Sequence, residues 1–456
     1  MTSSRLDAIV KAYDVRGVVP DELDEPTARS LGAAFVRLLG APRIVTAHDM
    51  RDSSPGLAAA FAEGATAQGA DVVEAGLAST DLLYYASGTL DVPGAMFTAS
   101  HNPARYNGIK MCRAGAAPIG LESGLADIRD LAAAGVPDAA GSSGRVCQRQ
   151  LLDDYADYLI DLVPGMRDIR PLRVVVDAGN GMGGLTVPKV FETLPIELTA
   201  MYFELDGSFP HHEANPIDPA NLRDLQERVR SDGADVGLAF DGDADRCFVV
   251  DERGEIVSPS VLTALIADRE LGKEPGATVI HNLITSHAVP ELVRERGGVP
   301  VRTRVGHSYI KAEMARTGAV FGGEHSGHFY FRDFWRADSG MLAALHVLAA
   351  LGNQDDRRDR SLSELLATYA RYAGSGEVNS EVADTASALA AVRSEFAGRD
   401  GVSVDELDGL TVDFGDGSWF NVRPSNTEPL LRLNVEAPDE ATMAKLRDEV
   451  LDVIRR

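Results

Sequence analysis

Strand-like apolar runs alternate with helix-like amphipathic runs along most of this chain. That rhythm dictates βαβ units with parallel-rich sheets. Residues 27–39 read as a helix leading into Ile44-Val45-Thr46-Ala47, and residues 57–68 as a second helix before Asp71-Val72-Val73. The apolar run 92–97 reads as a buried strand. A second unit opens with the strand 172–176 and closes near Asp251. A third runs from a helical stretch at 260–269, through a strand at 277–281, to a helix at 341–351, with the polar run 352–360 as a surface loop. From about Gly374 the character changes. Strand-like 410–412, 419–422 and 430–435 mix with helical 385–396 and 439–454, the pattern of a small α+β domain. At ordinary domain sizes the 456 residues divide into about three to four. The expected boundaries are 1–145, 146–252 and 253–368 for three α/β domains, the first ending at the small-residue stretch 139–144, and 369–456 for the last.

Composition narrows the function. The chain is 45% hydrophobic and 25% charged, as expected of a globular protein, and its net charge is −25. That charge argues against nucleic acid and against an anionic membrane surface as partners. An anionic substrate would have to be held at short range by arginines, helix N-termini and a divalent cation. No run approaches the roughly 18 apolar residues of a membrane span. The opening MTSSRLDAIVKAYDVRG is too polar for a signal peptide. Cys112, Cys147 and Cys247 are widely spaced and read as unpaired thiols of a reducing cytoplasm. A monomer or homodimer is expected.

Several segments carry chemistry. Thr98-Ala99-Ser100-His101-Asn102-Pro103 follows the strand 92–97, and Tyr106-Asn107-Gly108-Ile109-Lys110 comes next. Pro103 and Asn107-Gly108 signal turns. A serine displayed at a strand end near an amine suits a nucleophile or phosphate carrier; a Ser-His pair in a turn equally suits a hydrogen-bonded loop. Asp241, Asp243 and Asp245 follow the apolar run 236–240, and alternate residues of an extended segment share a side. Three such carboxylates repel unless a cation sits among them, and hard oxygen ligands suit Mg²⁺. An EF-hand calcium loop would use the same aspartates with Glu252, but has Arg246 where its glycine belongs. An aspartyl-phosphate site would take Asp241 as nucleophile and Asp243 as acid/base. Arg246 either grips a phosphate oxygen or offsets the carboxylates.

Gly179-Asn180-Gly181-Met182-Gly183-Gly184, with Glu204 further on, satisfies a dinucleotide fingerprint, although the glycines equally serve a tight strand-to-helix turn. Glu324, Ser326 and His328 lie in a Gly-rich loop after Val320-Phe321. There a carboxylate and a hydroxyl can bond vicinal sugar hydroxyls, or form a polar turn. Arg423, Ser425, Asn426 and Thr427 make a donor-rich turn, in physical terms a phosphate nest or a plain capping turn.

TASHNPARYNGIK at 98–110 resembles the active-serine loop of the α-D-phosphohexomutases, in the phosphomannomutase/phosphoglucomutase branch. DGDADR at 241–246, GEHSGH at 323–328 and RPSNTEP at 423–429 resemble further motifs of that family, in its order, so the resemblance spans nearly the whole chain. Lys11 to Gly17 is similar to the family's N-terminal YDxRG segment, Asp49 to Ser54 to a motif behind the serine loop, and Arg304-Val305-Gly306-His307 to a substrate loop. Asp81 departs from the pattern, which usually has proline there.

The resemblance implies three similar mixed α/β domains plus a C-terminal α+β domain around a central active-site cleft. It implies a phosphoryl group carried on Ser100, with Mg²⁺ held by that group and by Asp241, Asp243 and Asp245. It gives catalytic roles to Ser100, His101, Lys110, Arg246 and His307. It gives substrate contacts to Tyr13, Arg16, Arg304, Glu324, Ser326 and His328, and a clamp on the non-reacting phosphate to Arg423, Ser425, Asn426 and Thr427. The implied reaction moves phosphate between the 1- and 6-positions of mannose, and also of glucose, through a sugar 1,6-bisphosphate. Lys110, as general acid/base, is expected to have a lowered pKa, and the last domain is expected to close on ligand. The alternative within the family is a phosphoglucosamine mutase. From other classes come an NAD(P)-linked oxidoreductase and a non-catalytic calcium- or phosphosugar-binding protein.

Overall fold

The computed structural model describes residues 3–354, 360–425 and 430–456, without the side chains of Ser3, Ser4 and His307. The chain packs as two compact units. One comprises the residues up to Val257 together with Ser326–Ser363, the other Ser258–His325 together with Glu364–Arg456.

In the first unit a seven-stranded sheet has the order Val15–Val18, Tyr106–Arg113, Gly94–Phe97, Arg43–His48, Asp71–Leu77, Val146–Gln148, with Ala117–Pro118 paired to Tyr106–Arg113. The pairs among Gly94–Phe97, Arg43–His48 and Asp71–Leu77 are parallel, as the βα rhythm requires. The helix Glu25–Leu39 starts where the Asp24 carboxylate caps the Thr27 amide at 2.9 Å. It stops at Gly40, whose φ of 59° suits glycine. Its buried face includes Ala28, Leu31, Phe35 and Val36.

The turn expected at Asn107-Gly108 is not one. Both residues lie inside the strand Tyr106–Arg113. A Cβ on Gly108 would stand 2.4 Å from the Val15 carbonyl oxygen and 2.8 Å from that of Thr98. Glycine is therefore there for close approach of the two flanking strands rather than for a reversal. Asn107 is buried and spends its amide on Ser53 Oγ and Ser54 Oγ, at 2.8 and 2.9 Å.

The second sheet of this unit runs Ile256–Val257, Cys247–Asp251, Val236–Phe240, Leu172–Asp177, Ile196–Met201. Val236–Phe240 is buried along its whole length, parallel to Leu172–Asp177 and antiparallel to Cys247–Asp251. The aspartate loop is the connection between those antiparallel strands.

In the second unit Val299–Thr303, Thr278–Asn282 and Phe321–Gly323 pair in parallel, with helices Pro259–Lys273, Ala288–Glu295 and His307–Thr317 in the connections. The same unit holds a five-stranded antiparallel sheet: Ala373–Glu381, Leu430–Ala437, Trp419–Pro424, Leu410–Asp413, Ser403–Asp405. Helices Thr385–Phe396 and Glu440–Ile454 bury Val392, Phe396, Met443 and Val450 with Phe420, Val422, Leu431 and Leu433 of this sheet. This is the α+β domain that the sequence pattern predicts.

Candidate active site

Ser100 follows the strand Gly94–Phe97 and is 5% exposed. Its φ of 49° places it in the left-handed region, which costs a non-glycine residue about 1–2 kcal/mol. The loop holds that conformation through Arg51, which is itself buried. Nη2 donates to the carbonyls of Ser100 and Asn102 at 2.8 and 2.7 Å, Nη1 to those of Pro103 and Tyr106 at 3.0 Å, and Nε to Asp49 Oδ2 at 3.2 Å. Every donor of one guanidinium is thus committed, four of them to the serine loop. Arg16 adds bonds to the Ala99 carbonyl at 3.1 Å and to Asn102 Oδ1. Tyr13 is half-buried just before the strand that carries Arg16.

The serine loop and the aspartate loop meet. Ser100 Oγ donates to Asp241 Oδ2 at 2.7 Å and accepts from Arg246 Nη2 at 3.1 Å. A Cβ on Gly242 would stand 2.4 Å from the Ser100 carbonyl oxygen, and one on Gly181 would stand 2.7 Å from the Gly242 carbonyl oxygen. The central glycine of the apparent dinucleotide fingerprint is therefore occupied by packing against the aspartate loop, and Gly184 by packing against the Phe203 backbone, whose carbonyl oxygen would lie 2.3 Å from a Cβ there. The Gly179 amide, which would face a pyrophosphate, already donates to Asp177 Oδ1 at 2.8 Å.

Asp241, Asp243 and Asp245 are buried, with carboxylate oxygens within 4.8 Å of one another. Asp243 Oδ1 and Asp245 Oδ1 are buried without a hydrogen-bond partner. Oxygens of that kind, grouped and anionic, fit a hard divalent cation. Two fixed cations lie beside them. Arg246 Nε reaches Asp241 Oδ2 at 2.9 Å, and Lys110 Nζ stands 2.6 Å from both Asp243 Oδ2 and Asp245 Oδ2. Burial, with the charges of Asp243 and Asp245 behind it, pushes the Asp241 carboxyl up against the pull of Arg246. Asp245 goes the other way: despite burial, Lys110 and His328 hold it well below the usual carboxylate range.

Lys110 corrects an expectation. Burial draws its pKa down, but the two carboxylates override this and hold it well above the ordinary lysine value. In this structure it is held as an ammonium between the two carboxylates.

The EF-hand reading is also overturned. A strand enters the loop, and the carboxylate of Glu252 binds Ser363, with the Ser363 amide at 3.0 Å.

The histidines differ. His101 Nδ1 faces Arg246 Nη2 and lies 3.2 Å from Ser100 Oγ. Burial and then the positive charges of Arg246 and Arg16 keep its ring neutral. His328 Nδ1 pairs with Ser326 Oγ at 2.9 Å, and its Nε2 lies 3.6 Å from Asp245 Oδ1. Burial would lower its pKa, but Asp245 raises it overall. His328, expected on the sugar loop, thus lies beside Asp245, with Ser326 bonded to its other ring nitrogen.

In the second unit Glu324 is buried and accepts from the Gly306 amide at 3.0 Å. The two predicted substrate loops therefore touch. Arg304 is exposed, with Nε on the Leu407 carbonyl at 3.0 Å. His307 begins the helix His307–Thr317, and its side chain lies outside the described residues. Arg423, expected to face phosphate, donates to Glu377 Oε2 at 2.6 Å, and its cross-strand neighbour Arg432 shares that carboxylate at 3.0 Å. The Ser425 amide bonds the Leu430 carbonyl at 2.9 Å. Asn426 and Thr427 lie outside the described residues.

Sequence reasoning missed Thr80, whose hydroxyl donates to Asp243 Oδ2 at 2.6 Å. Ser79-Thr80-Asp81 opens a helix with more polar groups than one cap requires, and that surplus was the available signal.

Comparison with known proteins agrees with this geometry. The chain matches the models of all four phosphoglucomutase/phosphomannomutase domains: α/β/α domain I over residues 7–135, domain II over 153–254, domain III over 258–372 and the C-terminal domain over 377–453. It is 40% identical over 449 residues to a protein named phosphohexose mutases from Xanthomonas campestris pv. campestris, covering 98% of each chain. It is 39% identical over 453 residues to a phosphomannomutase of Escherichia coli K12, covering 97% of each. The crystal structure of a phosphoglucomutase/phosphomannomutase family protein from Burkholderia thailandensis superimposes with a TM-score of 0.87 at 33% identity, over 100% of this chain and 98% of the other. The chain belongs to the phosphoglucomutase/phosphomannomutase family. It is a phosphohexose mutase, an isomerase of carbohydrate metabolism.

Proposed function

We propose that this enzyme interconverts the 1- and 6-phosphates of mannose, and of glucose, by passing a phosphoryl group through Ser100. The observation that carries the reading is the position of Ser100 Oγ, 2.7 Å from Asp241 Oδ2 and 3.1 Å from Arg246 Nη2. Asp241, Asp243 and Asp245 would hold Mg²⁺ together with a phosphoryl oxygen on Ser100. The ion, when bound, withdraws charge from the phosphoryl group.

The chain's own residues do the rest. In the first half-reaction the P–Oγ bond of phospho-Ser100 breaks and a bond forms from phosphorus to a hydroxyl oxygen of the hexose monophosphate. Ser100 Oγ ends protonated, donating to Asp241. The sugar bisphosphate turns end for end, and Ser100 recovers the other phosphate. Arg246 offers Nη2 to Oγ and so stabilises the charge that develops there. Lys110, held as an ammonium, balances the anionic group and gives a proton to the oxygen leaving phosphorus, and the amine takes that proton back when the same oxygen attacks in the second half-reaction. The proton of the attacking sugar hydroxyl passes to His307, which returns it to the sugar oxygen that leaves in the second half-reaction. Neutral His101 keeps Arg246 in place.

The same reading assigns sugar-hydroxyl contacts to Glu324 and Ser326, and further substrate contacts to His328, Arg304, Tyr13 and Arg16. Arg423, released from Glu377, would clamp the distal phosphate with Ser425, Asn426 and Thr427. The domain limits 1–145, 146–252, 253–368 and 369–456 belong to the same reading. So does a cytoplasmic location, in keeping with three cysteines that form no disulfide with one another. No helix among the described residues is long and apolar enough to cross a membrane.

The preference for mannose rests on relatives named phosphomannomutase. The test is turnover of mannose 1-phosphate, glucose 1-phosphate and glucosamine 1-phosphate after charging with glucose 1,6-bisphosphate. The first two should be isomerised well and the third poorly. The reverse order would make the enzyme a phosphoglucosamine mutase, and turnover of none would overturn the proposal.

A further inference from the structure

The two oxygens of Asp243 have different surroundings. Oδ2 accepts from Lys110 Nζ and from Thr80 Oγ1, each at 2.6 Å, while Oδ1 is buried with no partner. Thr80 also donates its amide to the Asp243 carbonyl at 3.0 Å. One fully buried threonine therefore grips both the backbone and the side chain of a single aspartate.

Thr80 is itself held through its neighbour in the chain, Asp81. That residue is fully buried and accepts from Ser79 Oγ, from Tyr155 OH at 2.8 Å and from Ser339 Oγ at 2.7 Å. Ser339 caps the helix Gly340–Gly352 through the Leu342 amide. Gly340 lies so close to the aspartate loop that a Cβ there would stand 2.7 Å from the Arg246 carbonyl. Tyr155 belongs to the helix Leu152–Leu162. One carboxylate thus ties the starts of two helices to a third directly behind the loop, and the residue beside it reaches in.

We propose that Thr80 is a positioning residue for the cation site: by taking Oδ2, its hydroxyl turns Oδ1 of Asp243 toward the ion, and the Asp81 hub fixes Thr80 in that posture. The inference rests on reading the three aspartates as the metal ligands. A carboxylate held by a hydroxyl on one oxygen keeps its other oxygen in a fixed direction, and groups of this kind outside the ligand shell are worth about 10–100-fold in metal affinity. The hydroxyl is fully buried and committed to Asp243 Oδ2, so its loss should act on metal binding first.

The test is Mn²⁺ titration of the unphosphorylated full-length protein, with free Mn²⁺ read by electron paramagnetic resonance. Thr80→Val keeps the shape and loses the donor, and should weaken binding by about 10–100-fold. Thr80→Ser keeps the donor and should restore wild-type affinity. Thr80→Ala provides a second deletion if the valine variant does not fold. Wild-type affinity in a folded Thr80→Val or Thr80→Ala protein overturns the proposal, as does a serine variant as weak as the deletions. Asp243→Asn separates the two levels: if it too binds Mn²⁺ normally, the reading of the aspartates fails, and if it alone binds poorly, only the role of Thr80 fails.

Discussion

Deleting the ammonium of Lys110 separates its two possible duties. Lys110→Met keeps the length of the stem and removes the charge that stands 2.6 Å from the carboxylates of Asp243 and Asp245, which are 0% and 1% exposed. Leaving a buried partner unpaired costs about 3–5 kcal/mol, and because the Lys110 side chain is itself 18% exposed the lower end applies, about 3 kcal/mol. At about 2 °C per kcal/mol for a unit of this size, the first melting transition in EDTA should fall by about 6 °C. Mg²⁺ at about a hundred times its Kd returns about 2.7 kcal/mol to whatever binds it only when folded. The ion should therefore restore most of the melting temperature while leaving turnover low. Differential scanning calorimetry with and without Mg²⁺ provides the comparison. A variant that melts with the wild type in EDTA, or that gains nothing from Mg²⁺, refutes the reasoning and makes Lys110 a proton carrier without an electrostatic duty.

Two further outcomes concern the packing behind the site. Gly242→Ala places a Cβ 2.4 Å from the Ser100 carbonyl oxygen, so the loops must part; displacement of the order of 1 Å should cost about a hundredfold in kcat, and activity close to wild type would count against the proposed contact. Burial pushes the Asp81 carboxyl up to about 6, against the donors Ser79, Ser339 and Tyr155, from an ordinary value of 3.8. The folded protein thus holds this proton longer than the unfolded chain does, and the stability it contributes is complete below about pH 4 and lost as pH rises through 6. The loss amounts to about 3 kcal/mol by pH 8, so Asp81→Asn should gain in melting temperature on the wild type between about pH 5 and pH 8. Parallel pH profiles would show that Asp81 does not titrate in this way.

What the sequence reveals depends on how local the cause is. The helix Thr385–Phe396 is legible because its cap, Asp384, and its apolar spacing lie within one stretch. The strand Val236–Phe240 is legible because it is buried on both faces and is apolar throughout. Asn107-Gly108 misleads because the usual turn signal is local, whereas the crowding that demands glycine there comes from strands around Val15 and Thr98. The state of Lys110 is hidden for the same reason: its two carboxylates lie 133 and 135 residues away. Arg423 likewise reads as a free phosphate ligand until Glu377, 46 residues earlier, is placed beside it. The site's members were readable as motifs, but their charges and pairings depend on contacts between distant segments.

The central claim is that Ser100 carries the phosphoryl group. Intact-mass measurement of the purified protein after incubation with glucose 1,6-bisphosphate tests it most directly. The account predicts one added phosphoryl group, localised to Ser100, removed by excess hexose phosphate and absent from Ser100→Ala. A protein that turns over hexose phosphates with Ser100 never modified, or that gains its phosphoryl group equally well as Ser100→Ala, would contradict the account.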